Sequence, residues 1–455
     1  MRFLDALREA KCGKRNIVIP DIKCFSPKEG DLMNGRDPVA YAKLLQEAGA
    51  PVLSVVTEEE QFHGSLSMLK DIASSVDVPI LRKDFIHTKE DLVETKENGA
   101  SAILLMCNCL EREELIYLYE EALKIGLDPF VETHVKEDFE LVKALGAKLV
   151  GINNRDITVL EKDDGDVSNT VSLASFAPKD AFLVTESSIK NPKEVRTAIN
   201  SGADAALVGT AILKAKYTKA FYQMMCRKIS LKVCGLMNVE DVELCVSLGV
   251  ERIGCVVEYP LSVPWNLPIS KAKDICASVP EGYTSCTVVG GSREEILNIA
   301  NEVKPGMVQL HYKESMADTK EIAAILKKEK IGIIKSIPAS EEACLEMFGT
   351  GDIDTIVRMI NDSEVEEILI DPRHGSKVAN NDLKLDTKLA NSVLAISKTP
   401  VCIAGGINES NVSDIIKITS CQNIDVMNGS EDAPGAKSSS KIKNLIEIID
   451  DIDWE

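Results

Sequence analysis

Lysines and carboxylates recur in this sequence at the ends of short apolar runs, where burial would be unfavourable unless they had a task. Asp21 and Lys23 end NIVIPDIK, Lys83 and Asp84 end PILRKD, and Glu132 stands in PFVETH. Asn153 and Arg155 follow in LVGINNRD, and Glu186 and Ser187 in AFLVTESS. A solubilising loop residue explains any one of them, but it explains the whole set poorly. Lys and Glu converging on one point shift each other's pKa towards general acid and base work. In the second half, Cys234 in SLKVCG and Asp371 in EEILIDP offer a thiol and a carboxylic acid, a possible base and acid. Most cysteines in apolar strands simply pack, so that pair rests on the two residues facing one another. Small residues at TESS (Ser187, Ser188) and LVGT (Gly209, Thr210) would let backbone amides approach a phosphate, with ligand-free tight turns as the alternative reading.

These residues need elements that bring them to one place. The first half contains the β-rich runs NIVIPDIK, PVLSVVT, PILRKDF, AILLMCN, PFVETH, LVGINNRD, AFLVTESS and AALVGTA. Between them lie stretches such as PVAYAKLLQEAGA and KEDLVETKENGA, apolar at helical spacing and ending in Gly. The second half repeats the scheme with SLKVCG, RIGCVV, TSCTVVG, MVQLH, IGIIKSI, EEILIDP, VCIAGGI and NIDVMNG. Eight strand-plus-helix units per half predict an α/β fold of two tandem (β/α)8 barrels, residues 1–227 and 228–455, with the sites where strands end. A doubly wound open sheet is the competing architecture.

Composition narrows the function classes. The 455 residues exceed what one core usually supports. A formal charge of −20 opposes nucleic acid and anionic lipid, and no apolar run is long enough for a bilayer. The opening MRFLDALREAKCGKR reads as a helix and not as a signal peptide. Thirteen scattered cysteines without a CxxC pair fit a reducing cytoplasm, and Cys107 and Cys109 are expected inside a strand-like run. His63, His87, His134, His311 and His374 show no ligand spacing, so no metal is expected. His311, in VQLH, is either a substrate ligand or a satisfied structural histidine.

At this point a resemblance becomes specific. IKCFSPKEG, LRKDFI, VETH, GINNRD, TES and LVGT occur in the order and spacing of indole-3-glycerol phosphate synthases, across residues 1–226. The resemblance implies Lys83 as the acid that protonates the substrate carbonyl, and Lys23 as the lysine that steers the carboxylate and aids dehydration. It implies Glu132 as the active-site glutamate with Asn153 as its partner, Ser187 as substrate-binding, and Glu186 before it. Residues 229–455 resemble phosphoribosylanthranilate isomerase through KVCGL, VQLH, LID, AGGI and DVMNG with PGAK. That implies Cys234 taking the proton from sugar C2, Asp371 protonating the ring oxygen, and Gly405, Gly406 and Gly429 offering amides to the phosphate. Such a fusion would catalyse two consecutive steps of tryptophan biosynthesis on phosphosugars by acid–base chemistry, with no cofactor. Its oligomeric state, monomer included, is left open.

The sequence departs from both families. Asp21 replaces the usual Glu, Ser188 the usual Gly, and the N-terminal extension is short. In the second half Pro264 stands in place of an arginine that binds the anthranilate carboxylate, Met427 and Asn428 replace serines, and HGSK replaces a glycine-rich turn. Two other readings therefore remain open: barrels that act on a different phosphosugar, or a C-terminal barrel that serves as a binding scaffold.

Overall fold

The computed structural model describes residues 1–155, 165–372 and 384–453. It divides into two compact units, Met1–Arg227 and Lys228–Glu455. Among the described residues of the first unit, eight parallel strands close into a barrel: β1 (Ile17–Ile22), β2 (Leu53–Val56), β3 (Ile80–Lys83), β4 (Ala102–Met106), β5 (Asp128–Thr133), β6 (Leu149–Asn153), β7 (Phe182–Glu186) and β8 (Ala205–Val208). Closure is made by β1, which pairs Ile17 with Ala205 on one side and Asp21 with Ser54 on the other. An open sheet is thereby excluded.

Period-two alternation fills the barrel. Ile17, Ile19, Leu81, Leu104, Phe130, Val184 and Leu207 belong to one buried cluster, and each such side chain stabilises the fold by about 1.5–3 kcal/mol. The next inward position along several of these strands is polar: Asp21 after Ile19, Lys83 after Leu81, Glu132 after Phe130, Glu186 after Val184. The chemistry thus sits one layer above a dry core, at the strands' C-terminal ends. The connecting helices start where the sequence provides caps, as at Thr88, whose capping box with Asp91 opens Lys89–Glu97. Helix Phe3–Lys11 docks at the opposite end of the barrel, where Leu4 N donates to Asp128 Oδ2 at 3.0 Å.

The second unit repeats the plan among its described residues with β9 (Ser230–Val233), β10 (Arg252–Val257), β11 (Thr284–Val289), β12 (Met307–Leu310), β13 (Gly332–Pro338), β14 (Glu367–Asp371), β15 (Val401–Ile403) and β16 (Asn423–Val426). Lys232 of β9 aligns with Arg252 on one side and Asp425 on the other, which closes the ring. This interior is less apolar than the first. Cys286, Ile334, Leu369 and Cys402 share it with a buried Arg252–Glu367 ion pair and a buried Lys232–Asp425 pair.

One expectation is corrected. Cys107 and Cys109 lie in the turn after β4, because the strand ends at Met106. None of the thirteen cysteines forms a disulfide. Among the described residues no helix is long and apolar enough to cross a membrane. His374 and the HGSK segment lie outside the described residues.

Candidate active sites

A cleft of about 690 Å³ opens at the C-terminal end of the first barrel, lined by Asp21, Lys23, Lys83, Glu132, Asn153, Arg155 and Ser187 among others. Lys83 is its centre. Its ammonium is paired with Glu186 Oε2 and lies 3.5 Å from Glu132 Oε2. Both glutamates are fully buried, and their responses diverge. Burial, then repulsion from Glu132, pushes Glu186 up to about 8. Burial raises Glu132 too, but Lys83 and His134 outweigh it and hold that carboxyl low, at about 2. Desolvation works against the charge on Lys83, yet Glu186 and Glu132 together raise its pKa. The two carboxyls are thus pushed in opposite directions around one ammonium, and they titrate as a coupled pair.

Hydrogen bonds orient Glu132. Asn153 Nδ2 donates to its Oε1 at 3.1 Å, and Asn153 Oδ1 accepts from the Arg155 N–H at 3.0 Å. That second bond fixes which end of the amide faces the carboxylate. His134 Nε2 stands 3.2 Å from the same Oε1. Gly151 makes room beneath: a Cβ there would lie 2.6 Å from Glu186 Oε1 and 2.8 Å from the Phe130 ring.

Asp21 accepts from Ser54 Oγ at 2.6 Å and packs against Gly209. Lys23 reaches the cleft with its ammonium 5.5 Å from the Phe62 ring centroid. Ser187 and Ser188 both take left-handed backbone, φ 67° and 60°, and Arg155 Nε donates to Ser188 Oγ at 3.0 Å. Thr210 begins the short helix Thr210–Lys214 after β8 and is not among the cleft-lining residues.

Several contributors went unnoticed in the sequence. Asn154 donates to the carbonyls of Glu186 and Ser187 and accepts from Thr170, tying down the two strained serines. Phe62, Phe85, Leu104 and Met106 give the cleft an apolar wall suited to an aromatic ring. Only the second asparagine of GINNRD carried a local signal, as a polar residue continuing a buried strand. The apolar residues look like any other core side chains.

In the second barrel a cleft of about 480 Å³ is lined by Cys234, Asp371, His311, Gln309, Asp425, Tyr259, Trp265 and Met427 among others. Cys234 and Asp371 thus share one mouth. Burial raises the thiol pKa, while Lys232 beneath works against that rise. A Cβ on Gly254 would lie 2.9 Å from Cys234 Sγ and 3.0 Å from Lys232 Cε, so glycine lets both sit there. Gly429 packs against Ile407 and Asn408, which brings the loops after β15 and β16 together beside Gly405 and Gly406. Pro264 is exposed, and the cleft wall there is Val263 and Trp265. Met427 lines the cleft and packs on Gly235. Lys232, Gln309 and Asp425, charged or polar within apolar runs two residues before Cys234, His311 and Met427, had the same signal as the residues noticed in the first half.

Fold and sites define the class: two (β/α)8 barrels in one chain, each with an acid–base constellation at its C-terminal mouth. The indole-3-glycerol phosphate synthase family model matches residues 1–225. The N-(5'phosphoribosyl)anthranilate (PRA) isomerase model matches residues 231–448. An indole-3-glycerol phosphate synthase of Pyrococcus furiosus is 43% identical over 211 residues, 46% of this chain and 90% of that protein. A multifunctional tryptophan biosynthesis protein of Schizosaccharomyces pombe is 27% identical over 483 residues, 99% of this chain and 61% of that protein. A solved phosphoribosyl anthranilate isomerase shares 27% identity and a TM-score of 0.38, covering 49% of this chain and 98% of its own. The chain belongs to the indole-3-glycerol phosphate synthase family, carries a PRA isomerase domain behind it, and is a bifunctional enzyme of tryptophan biosynthesis.

Proposed function

We propose that the first barrel cyclises 1-(o-carboxyphenylamino)-1-deoxyribulose 5-phosphate through Lys83, and that the second supplies this substrate from N-(5-phosphoribosyl)anthranilate through Cys234 and Asp371. The observation that carries the first assignment is Lys83 held between Glu132 and Glu186 at the cleft's centre. As the aromatic carbon attacks the carbonyl carbon, the oxygen gains negative charge, and the ammonium gives it a proton. Loss of CO2 restores aromaticity, and Lys23 protonates the departing hydroxyl as water leaves. Glu132, oriented by Asn153 and His134, keeps Lys83 charged and accepts the proton released in dehydration. Asp21 assists as a second carboxylate, Arg155 and Ser187 meet the substrate's polar groups, and the Ser188, Gly209 and Thr210 backbone receives the phosphate.

In the second barrel Asp371 gives its proton to the ring oxygen. The C1–O bond pair goes to that oxygen, and the anilino nitrogen's lone pair forms C=N. The Cys234 sulfur then takes the C2 proton as the general base, and the resulting enamine tautomerises to the aminoketose. Gly405, Gly406 and Gly429 hold the phosphate.

In the full-length chain, Lys83→Ala should lower cyclisation about 10²- to 10⁴-fold and leave isomerisation intact. Cys234→Ala should do the reverse. Cyclisation surviving Lys83→Ala would sink the first assignment, and isomerisation surviving Cys234→Ala the second.

A further inference from the structure

Beneath Cys234 and Asp371 lies a buried polar chain whose hydrogen-bond directions are determined at one end. Lys232 Nζ donates to Asp425 Oδ2 and to Gln309 Oε1, each at 2.7 Å. An ammonium has donors only, so Gln309 presents its oxygen to Lys232 and its amino group to the other side. That amino group lies 3.1 Å from His311 Nδ1. It has no lone pair to offer, so Nδ1 must accept, and a neutral ring then carries its single proton on Nε2. A proton on Nδ1 would set two donors against each other. His311 Nε2 stands 4.0 Å from Asp371 Oδ2. Lys232, Gln309, His311 and Asp371 are all buried, so these directions are not averaged away by water.

Independent contacts anchor the loop that carries the ring. Tyr259 Oη donates to the His311 carbonyl at 2.7 Å, Lys335 Nζ to the Glu314 carbonyl at 2.6 Å, and Tyr312 N to Glu314 Oε2 at 3.1 Å. The strand period supplies the geometry, because Gln309 and His311 are two residues apart on one face, as are Lys232 and Cys234.

We propose that His311 is a positioning residue for the isomerase acid: locked as the Nε2–H imidazole by Lys232 through Gln309, it presents a donor to the carboxylate that Asp371 becomes on protonating the ring oxygen. The role rests on Asp371 being that acid. The donor is chosen before reaction, so the tautomer need not change when the charge appears and only the 4.0 Å gap has to close.

Nitrogen-15 correlation spectra of the full-length chain test the lock directly, with the His311 signals identified by their absence in His311→Gln. The expected result is a protonated Nε2 and an unprotonated Nδ1, unchanged across neutral pH. A proton on Nδ1, or an imidazolium, would overturn the proposal. In turnover of N-(5-phosphoribosyl)anthranilate, His311→Leu should lower kcat about 10- to 100-fold, the worth of a hydrogen bond to a charged group, with KM changed little. His311→Gln, able to accept from Gln309 with Oε1 and donate with Nε2, should recover most of that loss. Wild-type kcat in His311→Leu beside an inactive Asp371→Asn would overturn the proposal and leave Asp371 as the acid. Full activity in Asp371→Asn would remove the acid and the proposal with it.

Discussion

Glu186 is the residue whose state most constrains the synthase site. Its carboxyl is buried beside a second carboxylate and is pushed up to about 8. An unfolded glutamate titrates near about 4.3. Between these values the folded chain holds a proton that the unfolded chain has lost, so this group's contribution to stability is full below the lower value and falls as pH rises through the upper one. Glu186→Gln has no proton to lose and keeps an oxygen for Lys83. Relative to wild type it should gain stability steadily from pH 5 to pH 8, by up to about 1.4 kcal/mol per pH unit with Tm rising in step, while cyclisation falls. Thermal melts at both pH values check this, and a difference that stays flat or reverses would refute the raised Glu186 pKa.

At the scale of elements, each functional side chain is a strand's next inward position above the core, so the site's shape depends on how closely the strands approach. Gly151 on β6 is such a point in the synthase barrel, facing Glu186 and Phe130. Gly151→Ala should force the Glu186 carboxyl off Lys83 or shift β6 from β7. The expected cost is about 1–3 kcal/mol of stability, with kcat reduced more than KM is raised. Denaturant melts with steady-state kinetics read both, and unchanged kinetics would mean that Glu186 does not need its present place. The second barrel repeats the device at Gly254 beneath Cys234. The succession of strands and the polar residues at their C-terminal ends were both legible in runs such as PILRK and PFVETH. Asn154's clamp on the Ser187 corner was not, since a hydrogen bond to a carbonyl 32 positions away leaves no local trace.

For the whole molecule, the two compact units predict that residues 1–227 and 228–455, expressed separately, each fold and retain their own half-reaction with kcat within about a factor of three of the full chain. Circular dichroism melts and turnover of each substrate check it, and a half that is unfolded or inactive alone would show that its barrel needs the other. The sequence by itself determined the succession of strands and helices, the polar residues at strand ends and both family likenesses, because these follow from local periodicity and side-chain chemistry. It could not determine that the pKa values of Glu132 and Glu186 are pushed in opposite directions, that Pro264 faces solvent while Trp265 walls the cleft, or that Lys232 orients His311 through Gln309. Each of those depends on distances between strands far apart in the chain, which only the closed barrel sets. Burial there decides which group keeps its proton.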